Sequence, residues 1–174
     1  MAEITLDKTA DSSTVIKTPV FDININSKNY VKLHAPEWVN VAVFNRDTHS
    51  WVLSKETRYG TGLQTIEFMS GTVEEGEEPK IAALRELREE FGYDIENIVR
   101  VESLYDVNAN PAFMDNQMHG YYIEVEGEPK EQKLDDNEDV KPYKVVYFDI
   151  SDFENQGAFS TLTYMYLLQK GLLK

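Results

Sequence analysis

The 174-residue sequence predicts an α+β fold built in layers. Three observations carry that reading. Short apolar segments rich in Val and aromatic residues recur along the chain with turn residues between them. Two segments, residues 80–91 and 161–170, read as helices. No regular strand–helix–strand alternation connects them, which argues against a doubly wound parallel sheet.

Taken in order, residues 1–14 are polar and read as a frayed end. Apolar residues come next at Val15, Ile16, Val20, Phe21, Ile23 and Ile25, then over residues 30–33. This pattern predicts two short strands joined near Asn26-Ser27-Lys28-Asn29. Pro36 separates this region from the next segment, so the chain divides into N-terminal strands over 1–36 and a main domain over 37–174. Residues 38–44, WVNVAVF, are apolar and Val-rich and predict a buried strand. A turn at residues 45–49 returns the chain through a second strand at 51–53. Residues 58–62 form a loop and 65–69 a short strand. Pro79 suits the first turn of a helix, where its missing N–H matters little. Gly92 sits where a left-handed helix cap is expected. Strands at 98–107, 121–125 and 144–149 and a helix over 161–170 complete the prediction.

Bulk properties narrow the function. Hydrophobic residues make up 41% of the chain, enough for one sizeable core. No apolar run reaches the roughly 20 residues a bilayer requires. The N-terminus lacks the basic and apolar regions of a secretory signal. The absence of cysteine rules out disulfides, thiolate metal sites and cysteine nucleophiles, and fits a cytoplasmic protein. The net charge of −14 repels nucleic-acid phosphates, so generic DNA or RNA binding is not expected. A protein of that charge needs cations if it handles phosphates.

The segment over residues 71–93, GTVEEGEEPKIAALRELREEFGY, supplies a place for them. At about 100° per residue, Leu84, Leu87 and Phe91 share one helix face, and Glu86, Glu89 and Glu90 are expected roughly opposite, converging outward. Clustered carboxylates repel one another, and a hard divalent cation removes that penalty. An isolated ELREE would read as a solvated acidic surface. The wider pattern is more specific: Gly71, Glu77, Arg85, Glu86, Leu87, Glu89, Glu90 and Gly92 match the Nudix signature GX5EX7REUXEEXGU at every invariant position, with Tyr93 where an aliphatic residue is usual.

The sequence therefore resembles the Nudix hydrolases, over about residues 37–170. The resemblance implies an α/β/α sandwich with a mixed sheet, preceded here by short N-terminal strands. It implies attack by water on a phosphorus of a nucleoside diphosphate derivative, with Mg2+ (or Mn2+) bound by Glu86, Glu89 and Glu90. The carbonyl of Ser70 is a further candidate ligand. Glu77 and Arg85 are expected to form a salt bridge that fixes loop to helix, while Gly71 and Gly76 shape the loop.

Three features outside this box resemble the ADP-ribose and ADP-sugar pyrophosphatases. Arg58-Tyr59-Gly60-Thr61-Gly62 followed by Glu67-Phe68-Met69-Ser70-Gly71 is similar to a run in those enzymes, and a guanidinium at Arg58 suits a pyrophosphate. Arg58 and Tyr59 are thus candidate substrate contacts. Asn110-Pro111-Ala112-Phe113-Met114 and His119 come after the box, with Pro111 the candidate contact. The acidic loop over residues 134–140 is expected to hold the group that orients or deprotonates the attacking water, Glu138 first and Asp136 second. The N-terminal strands resemble those that pair two subunits, which implies a homodimer and makes Tyr30 or Trp38 a candidate base-stacking residue. The substrate expected is ADP-ribose or another ADP-sugar, giving AMP and a sugar phosphate. Alternatives are NADH, a dinucleoside polyphosphate, coenzyme A or GDP-mannose, or a non-catalytic ligand sensor on the same fold.

Overall fold

The computed structural model describes residues 5–8, 14–18, 21–134, 139–146 and 149–173. At its centre lies β5 (Trp38–Asn45), in which every residue after Trp38 is buried. Side chains alternate across a strand. Val39, Val41 and Val43 therefore enter one core, and Ala42 and Phe44 enter a second core on the opposite face. A strand buried on both faces needs a covering layer on each.

β10 (Gln117–Val125) runs parallel to β5, with Tyr121 beside Val41. β9 (Ile98–Asn108) pairs antiparallel with β10, and β6 (Ser50–Thr57) antiparallel with β5. β11 (Lys141–Val145) joins β6 at the edge, so the order β11-β6-β5-β10-β9 is a mixed sheet. Helix α1 (Pro79–Phe91) covers one face with Ala82, Ala83, Leu87 and Phe91. Helix α2 (Ala158–Lys170) covers the other with Tyr164 and Leu167. Each such fully buried large side chain stabilises by about 1.5–3 kcal/mol. The predicted α/β/α sandwich is present. Gly92 ends α1 at φ 75, donating its N–H to the Arg88 carbonyl.

Several elements differ from the prediction. The strand expected over 65–69 is two strands, β7 (Gln64–Glu67) on β6 and β8 (Met69–Thr72) on β5. The chain changes partner at Phe68, which brings Ser70 and Gly71 beside Asn40 and Val39. β11 begins at Lys141, before the predicted 144, and runs through Pro142; an edge strand tolerates a residue that cannot donate to a ladder. β10 begins at Gln117, before the predicted 121, and α2 at Ala158, before the predicted 161.

Among the described residues the N-terminal region holds four strands, not two. β1 (Thr5–Lys8), β2 (Thr14–Lys17), β3 (Asp22–Ile25) and β4 (Val31–His34) form an antiparallel sheet in sequence order. β1 falls in the stretch expected to fray, because pairing with β2 satisfies its backbone. The predicted turn is present: Asn26 Oδ1 accepts from the backbone N–H of Lys28 and Tyr30, and Asn29 takes φ 62. Leu33 ties this sheet to the main body, its N–H donating to the Phe113 carbonyl at 2.7 Å. Among the described residues no helix is long and apolar enough to cross a membrane.

Candidate active site

The box helix departs from the sequence expectation in one respect that matters. Glu86 and Glu90 are buried, at 7% and 4% exposure, instead of pointing away from the core. Four residues are about one turn, so the two carboxylates stack on one flank of α1 beside Leu87 and Phe91. Glu89 is only partly buried. The flank is accommodated by Gly71 on β8: a Cβ there would stand 2.1 Å from Glu86 Cδ. The change of sheet partner at Phe68 and the absence of a side chain at Gly71 together leave space for the Glu86 carboxylate.

Arg85 ties this region together. It donates to Glu77 through Nε and Nη2 at 3.1 and 3.0 Å and to the Thr72 carbonyl at 2.7 Å. Through Nη1 it donates to Glu86 at 2.9 Å and Glu89 at 3.1 Å. Hydrogen bonds from Arg85 hold the Glu77 carboxyl below its ordinary range, against a smaller effect of burial. The expected Glu77–Arg85 pairing is therefore in place. Among the described residues no three acidic or histidine side chains stand ready as a metal cage.

A cavity of about 400 Å³ opens over these groups, lined by Glu86, Glu89, Glu90, Arg85, Arg58 and Lys133, and by residues 70–72. Ser70 lines it and also accepts from Asn40 Nδ2 at 2.8 Å through its hydroxyl. Arg58 is held at its edge by Glu67, with Nε and Nη2 at 2.9 and 2.8 Å from Oε1, and by Glu56 at 3.1 Å. Burial pushes the Glu56 carboxyl up, and Arg58 opposes that shift.

Asp136 and Glu138 lie outside the described residues. The segment before them is anchored on the box helix: the backbone N–H groups of Lys130 and Lys133 donate to the carbonyls of Gly92 and Glu89, both at 2.8 Å. Gln132 Nε2 donates to the Glu90 carbonyl. These bonds satisfy carbonyls that the end of a helix leaves unpaired. Lys133, just before the acidic loop, and Val140, its last residue, both line the cavity.

Tyr30, Tyr59 and Pro111 lie at exposed positions and line neither this cavity nor the adjoining one beside Trp38. His119 is buried and lines neither cavity, with Nδ1 2.6 Å from Asp106 and Nε2 3.1 Å from Glu37. Sequence reasoning missed Lys133, Glu56 and the role of Glu67. The glutamate of the EFMSG run was the available signal for Glu67; nothing local marks the other two.

The NUDIX domain model matches residues 35–165. The chain belongs to the Nudix family. This Nudix protein is 31% identical over 114 residues to the methanol dehydrogenase activator of Bacillus methanolicus, covering 63% of this chain and 59% of that one. It is 31% identical over 99 residues to the ADP-ribose pyrophosphatase of Bacillus subtilis (strain 168), covering 56% and 52%. It is 50% identical over 42 residues to the ADP-sugar pyrophosphatase of Mus musculus, covering 24% and 19%. The chain thus spans less than two thirds of the length of each of these relatives. A crystal structure of an ADP compounds hydrolase superposes with a TM-score of 0.65 over 98% of this chain and 95% of that one. At 18% identity the likeness is one of fold.

Proposed function

We propose that this Nudix protein is a divalent-cation-dependent pyrophosphohydrolase acting on ADP-ribose or a similar ADP-sugar. The observation that supports it best is the pair of buried glutamates, Glu86 and Glu90, facing a cavity edged by Arg58 and Lys133. Burying carboxylates is costly, so their place in a cleft argues for a task there. Two relatives bear the names of ADP-ribose and ADP-sugar pyrophosphatases, which supports the substrate class.

The donor set suits Mg2+, with Mn2+ the alternative: Glu86, Glu89, Glu90 and the Ser70 carbonyl offer oxygen only. When bound, the cation supplies polarisation of phosphoryl oxygens and a lowered pKa for water. Arg85 orients Glu86 and Glu89. Arg58, held by Glu67, presents a fixed guanidinium to the pyrophosphate, and Lys133 offers a cation that makes no ion pair with a described residue. Glu138 or Asp136 accepts a proton from the attacking water. Water's oxygen bonds to one phosphorus, the bridging P–O bond breaks, and AMP and a sugar phosphate leave. Tyr30, Tyr59 and Pro111 are not needed for this placement. The same reading makes the protein a cytoplasmic homodimer, a state that sedimentation velocity tests directly.

The test is product analysis with Mg2+ on ADP-ribose, ADP-glucose, NADH and a diadenosine polyphosphate. AMP and ribose 5-phosphate from ADP-ribose, with the highest kcat/KM of the panel, supports the proposal. Turnover of none of them overturns it, and preference for NADH or the polyphosphate moves the substrate class.

A further inference from the structure

Tyr105 on β9, Thr163 on α2, Asn40 on β5 and Ser70 on β8 form one hydrogen-bonded line. The Tyr105 hydroxyl lies 2.8 Å from Thr163 Oγ1, Thr163 Oγ1 lies 2.5 Å from Asn40 Oδ1, and Asn40 Nδ2 lies 2.8 Å from Ser70 Oγ. The first three residues are buried and Ser70 is partly buried. The line ends where the carboxylate cavity meets the adjoining cavity, of about 480 Å³, and both Ser70 and Arg58 line the two.

The line has a direction, and chemistry fixes it. The Met69 carbonyl, 3.4 Å from Asn40 Nδ2, can only accept, so the amide NH2 faces Met69 and Ser70. Asn40 Oδ1 then accepts from Thr163. A hydroxyl has one proton to give. Thr163 gives its own to Asn40 and so accepts from Tyr105, for which the Phe159 carbonyl at 3.4 Å is the more distant alternative. Burial pushes the Tyr105 phenol up to about 12, so it keeps that proton at neutral pH. Ser70 Oγ accepts from Asn40, and its own proton has no acceptor among the described residues.

Three buried side chains thus present one hydroxyl as a donor. Buried polar groups are costly unless satisfied, and a fully paired line is rigid. Neighbouring residues of a strand face opposite ways. Gly71 faces Glu86, so the Ser70 side chain lies on the other side of β8, beside Asn40. A phosphoryl oxygen at the junction of the cavities would meet the Arg58 guanidinium and a fixed O–H, and hydrogen bonds to an ionised acceptor are about twice as strong as neutral ones. We propose that Ser70 is a substrate-binding residue whose hydroxyl donates to a phosphoryl oxygen held by Arg58, with Asn40, Thr163 and Tyr105 as positioning residues that fix it as a donor. The identity of that phosphoryl group rests on the pyrophosphohydrolase reading.

Calorimetric titration of the whole protein in Mg2+ tests this without turnover. The probes are two non-hydrolysable compounds, methylenediphosphonate and α,β-methylene ADP-ribose. Ser70→Ala should weaken both about 10-fold, and Ser70→Thr, which keeps the hydroxyl, should restore most of the affinity. Thr163→Val, similar in shape and outside both cavities, should weaken binding in the wild-type background and add nothing in Ser70→Ala. Tyr105→Phe, at the far end of the line, should act the same way but less. Wild-type affinity for both probes in Ser70→Ala overturns the proposal. An effect of Thr163→Val and Tyr105→Phe that is equal in the two backgrounds marks a structural role and overturns the positioning. Diphosphonate binding that depends on Ser70, in a protein with no affinity for the ADP-ribose analogue, would sink the ADP-sugar reading and keep the hydroxyl. Affinity for the analogue that ignores Ser70 would do the reverse, and binding of neither probe overturns both.

Discussion

Arg58 and Glu67 form one unit across two elements: Glu67 Oε1 accepts from the Arg58 guanidinium at 2.8 Å, while Oε2 accepts from the Gly157 N–H at 2.9 Å. One carboxylate thus aims a cation at the cavity and caps the start of α2, where a negative charge is favoured. Arg58→Ala is expected to raise KM about 10-fold or more by removing a charge-assisted contact to phosphate. Glu67→Gln should raise KM less but also lower stability by about 1 kcal/mol. Steady-state kinetics and thermal melts separate the two. An unchanged KM in Arg58→Ala would remove Arg58 from the substrate site.

Glu90→Gln should abolish cation-dependent turnover, with kcat falling at least about 100-fold. Since Glu90 is buried at 4% exposure, loss of its charge should leave Tm equal or higher in the absence of cation. The stabilisation that Mg2+ gives the wild-type protein should also shrink. Retained turnover together with full stabilisation by Mg2+ would show that Glu90 is no ligand.

Gly71→Ala tests the space that Gly71 leaves for the Glu86 carboxylate. The added Cβ would stand 2.1 Å from Glu86 Cδ, so the carboxylate must move. The cost expected is about 1–3 kcal/mol of stability, with a large loss of kcat. Wild-type activity in this variant would mean that the position of Glu86 does not matter to the reaction.

Glu77 carries a pH signature. Hydrogen bonds from Arg85 hold its folded pKa below the ordinary 4.5, so its contribution to stability is complete above that value. The contribution is lost as pH falls through the folded pKa. Glu77→Gln should lower Tm at neutral pH by about 2–4 °C, and the gap should close on acidification through the folded pKa. A gap that stays constant throughout an acid titration of both proteins would argue against the Arg85 pairing.

Lys133→Ala should raise KM several-fold and reduce its dependence on salt, because an exposed cation acts through screened attraction. Lys133→Arg should restore most of the loss. If neither variant alters KM, the phosphate does not reach this side of the cavity.

Much was legible in the sequence because it depends on local rules. The apolar run in β5 announced a buried strand, and Pro79 and Gly92 marked the two ends of α1. The spacing of Gly71, Glu77, Arg85, Glu86, Glu89 and Glu90 matched the Nudix signature and so carried the resemblance to the family. The relation of those carboxylates to the core was not legible. Helical periodicity separates Leu87 from Glu89, but Glu86 and Glu90 stand on the flank, and what covers a flank depends on the neighbouring strand. Here that neighbour is β8, whose change of partner at Phe68 arises from pairing rather than from local propensity.

By itself, then, the sequence determined the layered architecture, the box helix and the kind of ion its carboxylates suit. Tertiary structure alone decided that Glu86 and Glu90 are buried, Glu86 against Gly71, that Glu67 holds Arg58, and that Lys133 stands at the same cavity. The physical reason is range. Periodicity and capping act within a few residues, whereas these contacts join residues farther apart in sequence, and only the packed sheet brings them together.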